Sequence, residues 1–363
     1  MMLYKLLAHM HREEFEQAVA SLTPGGATGP LIAGLGIPVH DLGMRRGVPS
    51  PSGLLRLIRL LREWRPHVLQ TWLYHADLLG TVAARAGSRP VLAWNVRCSK
   101  MDARYESGLG GLMLRLLARL STKPEVVVVN SAAGEELHRS LGYAPRRWAM
   151  LPNGFDTGAF APDTERRLAA RAALGVQPGQ SAIGLIARYD PIKDHATFLR
   201  AGARALASRQ DLVFVLAGPG VDRDNRELRE LVEALNLQNQ TLLLGARTDV
   251  AALNAALDIA SCTSLGEGFP NTIGEAMATG VPVVMTDVGD AREIVGPAGL
   301  IVPPRDPDDL ARAWLSLLDL PAEERLRLGR LARERIVARF DIRQIARLYE
   351  DLYRDLAAKR FPD

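Results

Sequence analysis

The chain has 363 residues, of which 47% are hydrophobic and 24% are charged. This composition is typical of a folded protein, and the length exceeds what one hydrophobic core usually serves, so we expect two domains and no disordered region. Residues 1–155 hold 19 Lys or Arg against 11 Asp or Glu. A basic first half indicates an anionic partner such as a membrane surface, and we expect no nucleic-acid partner.

The remaining chain-wide features exclude several classes of protein. Cys98 and Cys262 lie far apart and match no metal or redox spacing, so reduced thiols in the cytoplasm are expected. The first ten residues predict an amphipathic helix and not a signal sequence, and no segment is long and apolar enough to span a membrane. Zinc hydrolases, dithiol redox enzymes, serine esterases and P-loop enzymes all lack their usual motifs here. We expect a cytoplasmic protein that at most contacts the inner face of a membrane.

The first half alternates strand and helix patterns. Runs such as the four valines at 126–129 are typical of parallel strands covered on both faces. The predicted strands are 18–22, 38–42, 67–71, 90–96 and 125–130, and the predicted helices are 2–15, 51–64, 78–86, 112–120 and 131–141.

The start of this alternation is unusual. A Rossmann-like domain normally begins with a buried strand and a glycine-rich turn, whereas this chain begins with a helical pattern. The missing strand would be central, so its neighbours are expected to keep unpaired backbone groups. Either the natural reading frame starts upstream of Met1, or this domain is incomplete.

The helix at 51–64 carries arginines at every third position, among them Arg56, Arg59 and Arg62. They could rest on acidic lipid headgroups, which would give weak peripheral membrane contact. An ordinary sheet-covering helix with solvated arginines is the alternative, since a spacing of three drifts around the helix.

Ligands of an open α/β sheet bind beyond the carboxyl ends of its strands. In the first half, His75, Arg97 and the pair Asn130 and Ser131 stand at such ends. His75 is a candidate for the reacting group or for orienting an acceptor, although a lone histidine beside aromatic residues such as Trp72 and Tyr74 is more often a packing residue. Arg97 is a candidate to meet an acceptor phosphate.

The second half repeats the alternation after an Asn-Gly turn at 153–154. Arg188 and Lys193 follow the strand at 181–187, where two cations can neutralise a diphosphate; pairing with Asp190 and Asp194 is the alternative. The acidic Asp222-Arg223-Asp224 is predicted to favour a helix start and not to bind a metal. The predicted strands are 181–187, 212–217, 241–244, 257–261 and 299–302, and the predicted helices are 165–174, 196–207, 225–235, 272–279, 307–318, 322–340 and 342–359.

The stretch 264–280, SLGEGFPNTIGEAMATG, is the most informative in the chain. A loop opens onto a helix near Thr272, and amides at a helix N-terminus form a binding place for an anion. Glu267 in the loop and Glu275 on the first helical turn can accept hydrogen bonds from sugar hydroxyls. A capping box formed by Thr272 and Glu275 is the alternative, and it requires no ligand.

This stretch resembles the E-x7-E signature of the family 4 glycosyltransferases. The matching residues are 267–271, 275–278 and 280–284, together with the segment 152–156. The resemblance implies the GT-B architecture, an α/β fold of two Rossmann-like domains with parallel sheets facing a cleft. It implies an N-terminal acceptor-side domain at 1–155, a nucleotide-sugar-binding domain at 156–340 and a C-terminal helix at 341–363 that crosses back to the first domain.

The resemblance also implies an activity: retaining transfer of a sugar from a nucleoside diphosphate sugar, without a bound metal or other cofactor. A uridine diphosphate sugar is the favoured donor, and a lipid-linked or oligosaccharide precursor of a cell-surface polysaccharide is the favoured acceptor. Glu275 would hold the ribose, Glu267 the sugar hydroxyls, and Arg188 with Lys193 the departing diphosphate. Further donor contacts are expected from Gly268, Phe269, Pro270, Asn271, Thr272, Gly218, Gly245 and Arg247.

Two other functions remain open. A GT-B sugar-nucleotide epimerase or hydrolase would process the donor without an acceptor. A non-catalytic sugar-nucleotide-binding protein would bind the donor without turning it over, and the missing first strand makes this alternative reasonable.

Overall fold

The computed structural model describes residues 1–24, 26, 28–45, 50–99 and 108–359. The chain divides into two compact units. The first unit joins Met1–Gly154 to Ile342–Asp363, and the second is Phe155–Asp341. Residues 360–363 of the expected C-terminal segment lie outside the described residues. No helix in the described part of the chain combines the length and apolar character needed to cross a bilayer.

The described strands of the first unit form two parallel sheets, with β1 beside β2 and the order β3-β4-β5-β6. Within these sheets β1 pairs only with β2 and β3 only with β4. The strands are β1 Val19–Ser21, β2 Val39–Asp41, β3 Val68–Trp72, β4 Val91–Val96, β5 Val126–Val129 and β6 Trp148–Met150. The helices are α1 Met2–His9, α2 Thr28–Gly34, α3 Pro51–Trp64, α4 Tyr74–Ala86, α5 Gly108–Leu120, α6 Ala132–Ser140 and α15 Ile342–Ala358.

Both faces of the four-stranded sheet are covered, as the valine run predicts. On one face of the sheet, the β5 side chains Val126 and Val128 pack with α15 and α1, whose residues there include Tyr349 and Leu6. On the other face, the β5 side chains pack with α4 and α5, around Trp94 and Leu117. Helix α15 therefore belongs to the core of the first unit, although the whole second unit precedes it in sequence.

Three helices of the first unit differ from the sequence prediction: α1, α4 and α5, the last of which begins at Gly108 and not at residue 112. Helix α1 ends at His9 and not at residue 15, because the His11 amide donates to the buried Glu350 carboxylate (2.7 Å) instead of continuing the helix. Helix α4 starts at Tyr74 and not at residue 78. A tight turn with Leu73 at φ 72° bends the chain directly from β3 into α4. Helix α2 and strand β6 have no counterpart in the prediction.

The second unit holds one parallel sheet whose six described strands run in the order β12-β11-β10-β7-β8-β9. The strands are β7 Ser181–Ile186, β8 Leu212–Ala217, β9 Thr241–Leu243, β10 Ile259–Cys262, β11 Val283–Thr286 and β12 Gly299–Val302. The helices are α7 Thr164–Leu174, α8 His195–Ser208, α9 Arg226–Ala234, α10 Val250–Ala256, α11 Asn271–Ala278, α12 Ala291–Val295, α13 Pro307–Leu318 and α14 Ala322–Phe340. This is the doubly wound order of a Rossmann-like domain, with helices over both faces.

The helices that were predicted in the second unit have closely matching boundaries, whereas α10, α12 and strand β11 have no counterpart in the prediction. Helices α13 and α14 have the predicted limits. The start of α9 differs in its cap, because the Asn225 side chain accepts from the Leu228 amide (3.2 Å). The Asp222 carboxylate instead accepts from the amide of Asp224 (3.1 Å), and its carbonyl accepts from the amide of Asn225 (3.2 Å). The acidic pair thus forms a turn before the helix, and the asparagine caps it.

Candidate functional site

The centre of the second unit's sheet is a topological switch point. The chain runs from β7 through β8 to β9 on one side and then returns to place β10, β11 and β12 on the other side. The loops that follow β7 and β10 therefore diverge from adjacent strands and leave a crevice at their carboxyl ends. The cations at 188 and 193 follow β7, and the acidic loop at 263–270 follows β10, so the fold brings both predicted halves of the site together.

Lys193 joins these two loops. Its ammonium group donates to the Glu267 carboxylate in an ion pair whose side chains are 18% and 13% exposed. The Ser264 hydroxyl donates to the same oxygen of Glu267 (2.6 Å). Lys193 thus pairs with an acid 74 residues away, and not with Asp194, whose carboxylate caps α8 through the Thr197 amide.

Arg188 pairs with a neighbour. Its guanidinium makes two hydrogen bonds, of 3.1 and 2.8 Å, to one carboxylate oxygen of Asp190. The other oxygen of Asp190 accepts from the Ile192 amide (3.0 Å) and so fixes the loop. Because the Arg188 side chain is 59% exposed, the pair contributes little to stability, and a ligand can compete for the cation at low cost.

The N-terminus of α11 has no side-chain cap. Its N-cap residue is Pro270, which cannot accept a hydrogen bond through its side chain, so the capping-box alternative fails. Thr272 is the second residue of α11 and Glu275 the fifth, each one residue further along the helix than predicted. Amides in the first turn of a helix have no intrahelical acceptor, and the helix dipole adds positive potential, so this end of α11 suits an anion.

The loop between Glu267 and α11 is anchored by an aromatic side chain. The ring of Phe269 is 6% exposed and packs on Phe155 and Phe340, with centroids 5.9 and 5.4 Å away. Its side chain holds the loop, so a ligand would meet only its backbone. Gly289 packs on the other side at φ 56°, where a Cβ atom would overlap the Glu267 carbonyl oxygen. The backbone of Glu267 and Gly268 is therefore held between two fixed supports.

The predicted glycine turns also meet at this edge of the sheet. The Gly218 amide donates to the Gly245 carbonyl (2.8 Å), and the Gly245 amide donates to the Val221 carbonyl (2.7 Å). A Cβ atom on Gly218 would overlap the Ala187 carbonyl, just before Arg188. Arg247 makes two hydrogen bonds, of 2.8 and 2.6 Å, to its neighbour Asp249. Among the described residues, no group of three His, Cys, Asp or Glu is placed to hold a metal ion.

His195, which the sequence analysis did not single out, lies under the loop with the two cations. It is the first residue of α8, is 3% exposed and packs against the Tyr189 ring, 5.5 Å between centroids. Burial lowers its pKa to about 4, and the Ala187 backbone only partly offsets this. His195 is therefore a neutral, buried side chain that packs against the loop carrying Arg188 and Lys193.

The lowered pKa of His195 predicts acid sensitivity. In the unfolded chain the His195 side chain has its ordinary pKa near 6.5, whereas in the folded chain it stays neutral until about pH 4. The folded state therefore loses stability as the pH falls from about 6.5 to about 4. We expect the denaturant midpoint to drop between pH 7 and pH 4.5, with His195 contributing about 2–3 kcal/mol. His195→Gln should reduce this acid-dependent loss, while the exposed control His40→Gln should not. Equal losses in both variants would contradict the assignment.

In the first unit, the predicted acceptor-side residues occupy different environments. His75 is exposed in the first turn of α4. Ser131 is buried and caps α6 by accepting from the Gly134 amide (3.0 Å). The Asn130 amide donates to Asn153 (3.5 Å). Arg97 lies at the carboxyl end of β4 among aromatic and amide groups.

Comparison with known proteins identifies the family. Residues 2–154 match the glycosyl transferase 4-like domain, and residues 180–320 match the glycosyl transferases group 1 domain. The chain is 24% identical over 320 residues to UDP-Gal:alpha-D-GlcNAc-diphosphoundecaprenol alpha-1,3-galactosyltransferase of Escherichia coli, covering 86% of this chain and 81% of that one. It is 28% identical to lipopolysaccharide core biosynthesis mannosyltransferase LpsB of Rhizobium meliloti, covering 90% and 92%.

The chain belongs to the family 4 glycosyltransferases. Among solved structures, Anabaena Alr3699/HepE in complex with UDP and glucose superposes with a TM-score of 0.84 at 22% identity, covering 98% of this chain and 95% of that one. The fold of this glycosyltransferase is thus GT-B, with a Rossmann-like domain in each unit.

The motif of this glycosyltransferase does not contain all the residues that shape the site. Ser264 and Gly289 both act on Glu267, one through its carboxylate and one through its carbonyl. Gly289 had a readable signal, since a glycine beside an aspartate after an apolar run predicts a turn. Ser264 had none, because its contact depends on the path of the loop.

Proposed function

We propose that the protein is a retaining, metal-independent glycosyltransferase that moves a sugar from a uridine diphosphate sugar to a hydroxyl group of a lipid-linked or oligosaccharide precursor. Family membership supports a nucleotide sugar as donor. The observation that carries the site assignment is the Lys193 ion pair with Glu267 at the switch point, beside the uncapped end of α11.

Each half of the donor has a matching group. Lys193 and Arg188 supply positive charge for the diphosphate, and the first-turn amides of α11 add donors for its oxygens. Charge on the leaving phosphate grows as the bond to the sugar breaks, so cations placed beforehand stabilise the transition state more than the ground state. This supports departure of the diphosphate without a metal ion.

Glu267 and Glu275 serve as the hydroxyl acceptors. Glu267 is fixed by Lys193 and Ser264, which leaves its second carboxylate oxygen for the hydroxyls of the transferred sugar. Glu275, half-buried one turn inside α11, is assigned the ribose. The acceptor hydroxyl then attacks on the face that the diphosphate leaves, and the leaving phosphate takes its proton, which retains the anomeric configuration.

The acceptor class is supported by the relatives' names. One relative acts on an N-acetylglucosamine linked to undecaprenol through a diphosphate, and another acts in lipopolysaccharide core synthesis. On the acceptor side, we place His75 and Arg97 near the reacting hydroxyl and its carrier, and Asn130 and Ser131 in the supporting structure.

Product analysis tests this function. The chain is incubated with UDP-glucose, UDP-galactose or GDP-mannose and an isoprenyl-diphosphate-linked sugar, and the product's anomeric configuration is read by proton NMR. We expect acceptor-dependent transfer with retention, lowered about 100-fold by Glu275→Gln and unchanged by Glu324→Gln, whose side chain is 48% exposed in the first turn of α14. Release of UDP or a changed sugar without acceptor would instead identify a hydrolase or an epimerase, and UDP binding without turnover a non-catalytic binding protein.

We further propose that the first unit contacts the cytoplasmic face of an anionic membrane, through α5 and not through α3. Helix α5 exposes Leu109, Leu112 and Leu116, with exposed fractions of 85%, 57% and 41%, and Arg115 and Arg119 lie on the same face. Apolar side chains beside arginines suit an acidic bilayer surface. In α3, two arginines are instead used within the fold, since Arg56 and Arg62 donate to backbone carbonyls.

Co-sedimentation with vesicles tests the membrane contact. We expect binding to phosphatidylglycerol vesicles that weakens with salt, and a several-fold loss when Leu109 and Leu112 are both replaced by glutamine. Leu168→Gln, at a position 65% exposed on α7 of the second unit, is the matched control. Unchanged binding of the double variant would remove α5 from the contact.

A further inference from the structure

Among the described residues, the hydrogen bonds and the ring contact of the Arg97 guanidinium group are with neutral side chains. One of its terminal nitrogens donates to the Asn95 side-chain oxygen (3.1 Å) and to the Tyr349 hydroxyl (3.3 Å). The central carbon of the group lies 5.1 Å from the centre of the Trp72 ring. These contacts fix the position and the plane of the guanidinium group at the carboxyl ends of β3 and β4.

The groups that hold Arg97 are themselves rigid. Asn95 and Tyr349 are fully buried, and the Asn95 amide donates to the Tyr349 hydroxyl (3.0 Å). The Tyr349 ring stacks on Trp72, with centroids 6.4 Å apart and planes 13° apart. Arg97 is therefore ordered before any ligand arrives, so little side-chain entropy would be lost on binding.

The second terminal nitrogen of Arg97 is buried and has no hydrogen-bond partner among the described residues. Within the same residues, no carboxylate forms an ion pair with Arg97. Arg188 and Arg354 differ in this respect, since Arg188 pairs with Asp190 and Arg354 with Glu14. A half-buried cation with an unused donor is costly unless an anion completes it.

We propose that Arg97 binds a phosphate group of the acceptor, at a site separate from the diphosphate contacts of the second unit. The inference rests on the proposed function and names the acceptor chemistry, a phosphate ester at or near the sugar that is extended. A guanidinium group suits phosphate because its planar donors match the oxygens geometrically. A purely structural role, tying β4 to α15, needs only the nitrogen that Asn95 and Tyr349 already occupy.

Calorimetric titration of the full chain tests this site. Geranyl diphosphate and inorganic pyrophosphate are each titrated in the presence of saturating UDP, which occupies the donor contacts. We expect Arg97→Gln to weaken geranyl diphosphate binding about 10- to 100-fold and to leave UDP binding unchanged. Arg97→Lys keeps the charge but not the planar fork, so an intermediate loss is expected. Arg85→Gln, an exposed arginine of α4, is the matched control.

The two probes separate the sources of the phosphate. Arg97-dependent binding of geranyl diphosphate alone supports a lipid-linked acceptor, and equal dependence for pyrophosphate supports recognition of the phosphate group itself. Equal affinity of Arg97→Gln and the unchanged chain for geranyl diphosphate overturns the proposal, as does a failure of both probes to bind. If Arg97→Gln is unstable, Tyr349→Phe keeps the ring but removes the hydroxyl, and a several-fold loss is then expected. Failure of UDP to bind would count against the donor site and would leave the Arg97 dependence measurable.

Discussion

Replacing Lys193 with glutamine is expected to lower kcat/KM about 100- to 1,000-fold. The variant loses the cation next to the leaving diphosphate, a contribution of the size seen when one transition-state donor is removed from an enzyme. The variant also removes one of the two loop side chains that donate to the Glu267 carboxylate, and Ser264 is the other. The carboxylate is then held less firmly in its orientation. Steady-state kinetics with the nucleotide sugar identified by product analysis measure the loss.

Two further variants show whether this loss comes from the site. Arg204→Gln removes an exposed cation that pairs with Asp308 in the same unit, and it should keep full activity. In Glu267→Gln, Lys193 keeps its charge but loses its ion pair, and the double variant should be little worse than either single one, because the two side chains act together. A Lys193→Gln enzyme with more than half of the original activity would rule out the assigned role.

Replacing Gly289 with alanine is expected to destabilise the second unit and to raise the donor KM at least 10-fold. The residue has φ 56°, a conformation that costs an L-residue about 1–2 kcal/mol. In addition, its new Cβ atom would overlap the Glu267 carbonyl oxygen, so the loop must move. Thermal unfolding and the donor KM report the two effects separately.

The matched control for this prediction is Gly179→Ala. Gly179 also has a positive φ, 87°, but no atom lies within 4 Å of the position that its Cβ would take. This control should therefore show the backbone strain alone, about 1–2 kcal/mol, and an unchanged donor KM. If the two variants show the same loss of stability and the same donor KM, the contact between Gly289 and the Glu267 loop does not contribute to donor binding.

The second unit was largely readable from the sequence. Most of its strands are largely apolar and lead into a helix, so hydrophobic periodicity marked β8, α13 and α14 with the observed limits. The short helices α10 and α12 and the strand β11 were not predicted. The two loops of the candidate site could be located as well, because Arg188, Lys193 and Glu267 all follow the carboxyl ends of strands.

The first unit was harder because its early elements are short and depend on distant partners. The end of α1 is set by Glu350, which follows it by more than 300 residues. The start of α4 is set by a left-handed turn at Leu73, a conformation that no leucine pattern signals. Strands β1 and β2 were predicted, but their separation into a sheet of their own is a tertiary feature.

Side-chain partners were the least predictable part of the site. Local spacing offered Asp194 as the partner of Lys193, whereas the fold supplies Glu267 from the loop after β10. The contacts of Arg97 are another case, since Tyr349 belongs to helix α15, which follows the whole second unit in sequence. Such contacts arise from chain topology, which a motif does not encode.

The most direct test of the donor site is a calorimetric titration of the chain with UDP, GDP and ADP, repeated on Lys193→Gln. We expect UDP to bind with one site per chain and more tightly than the other two nucleotides, and the variant to bind it at least 10-fold more weakly. Absence of nucleotide binding, or UDP binding that is indifferent to Lys193, would contradict a nucleotide-sugar site at the carboxyl ends of β7 and β10.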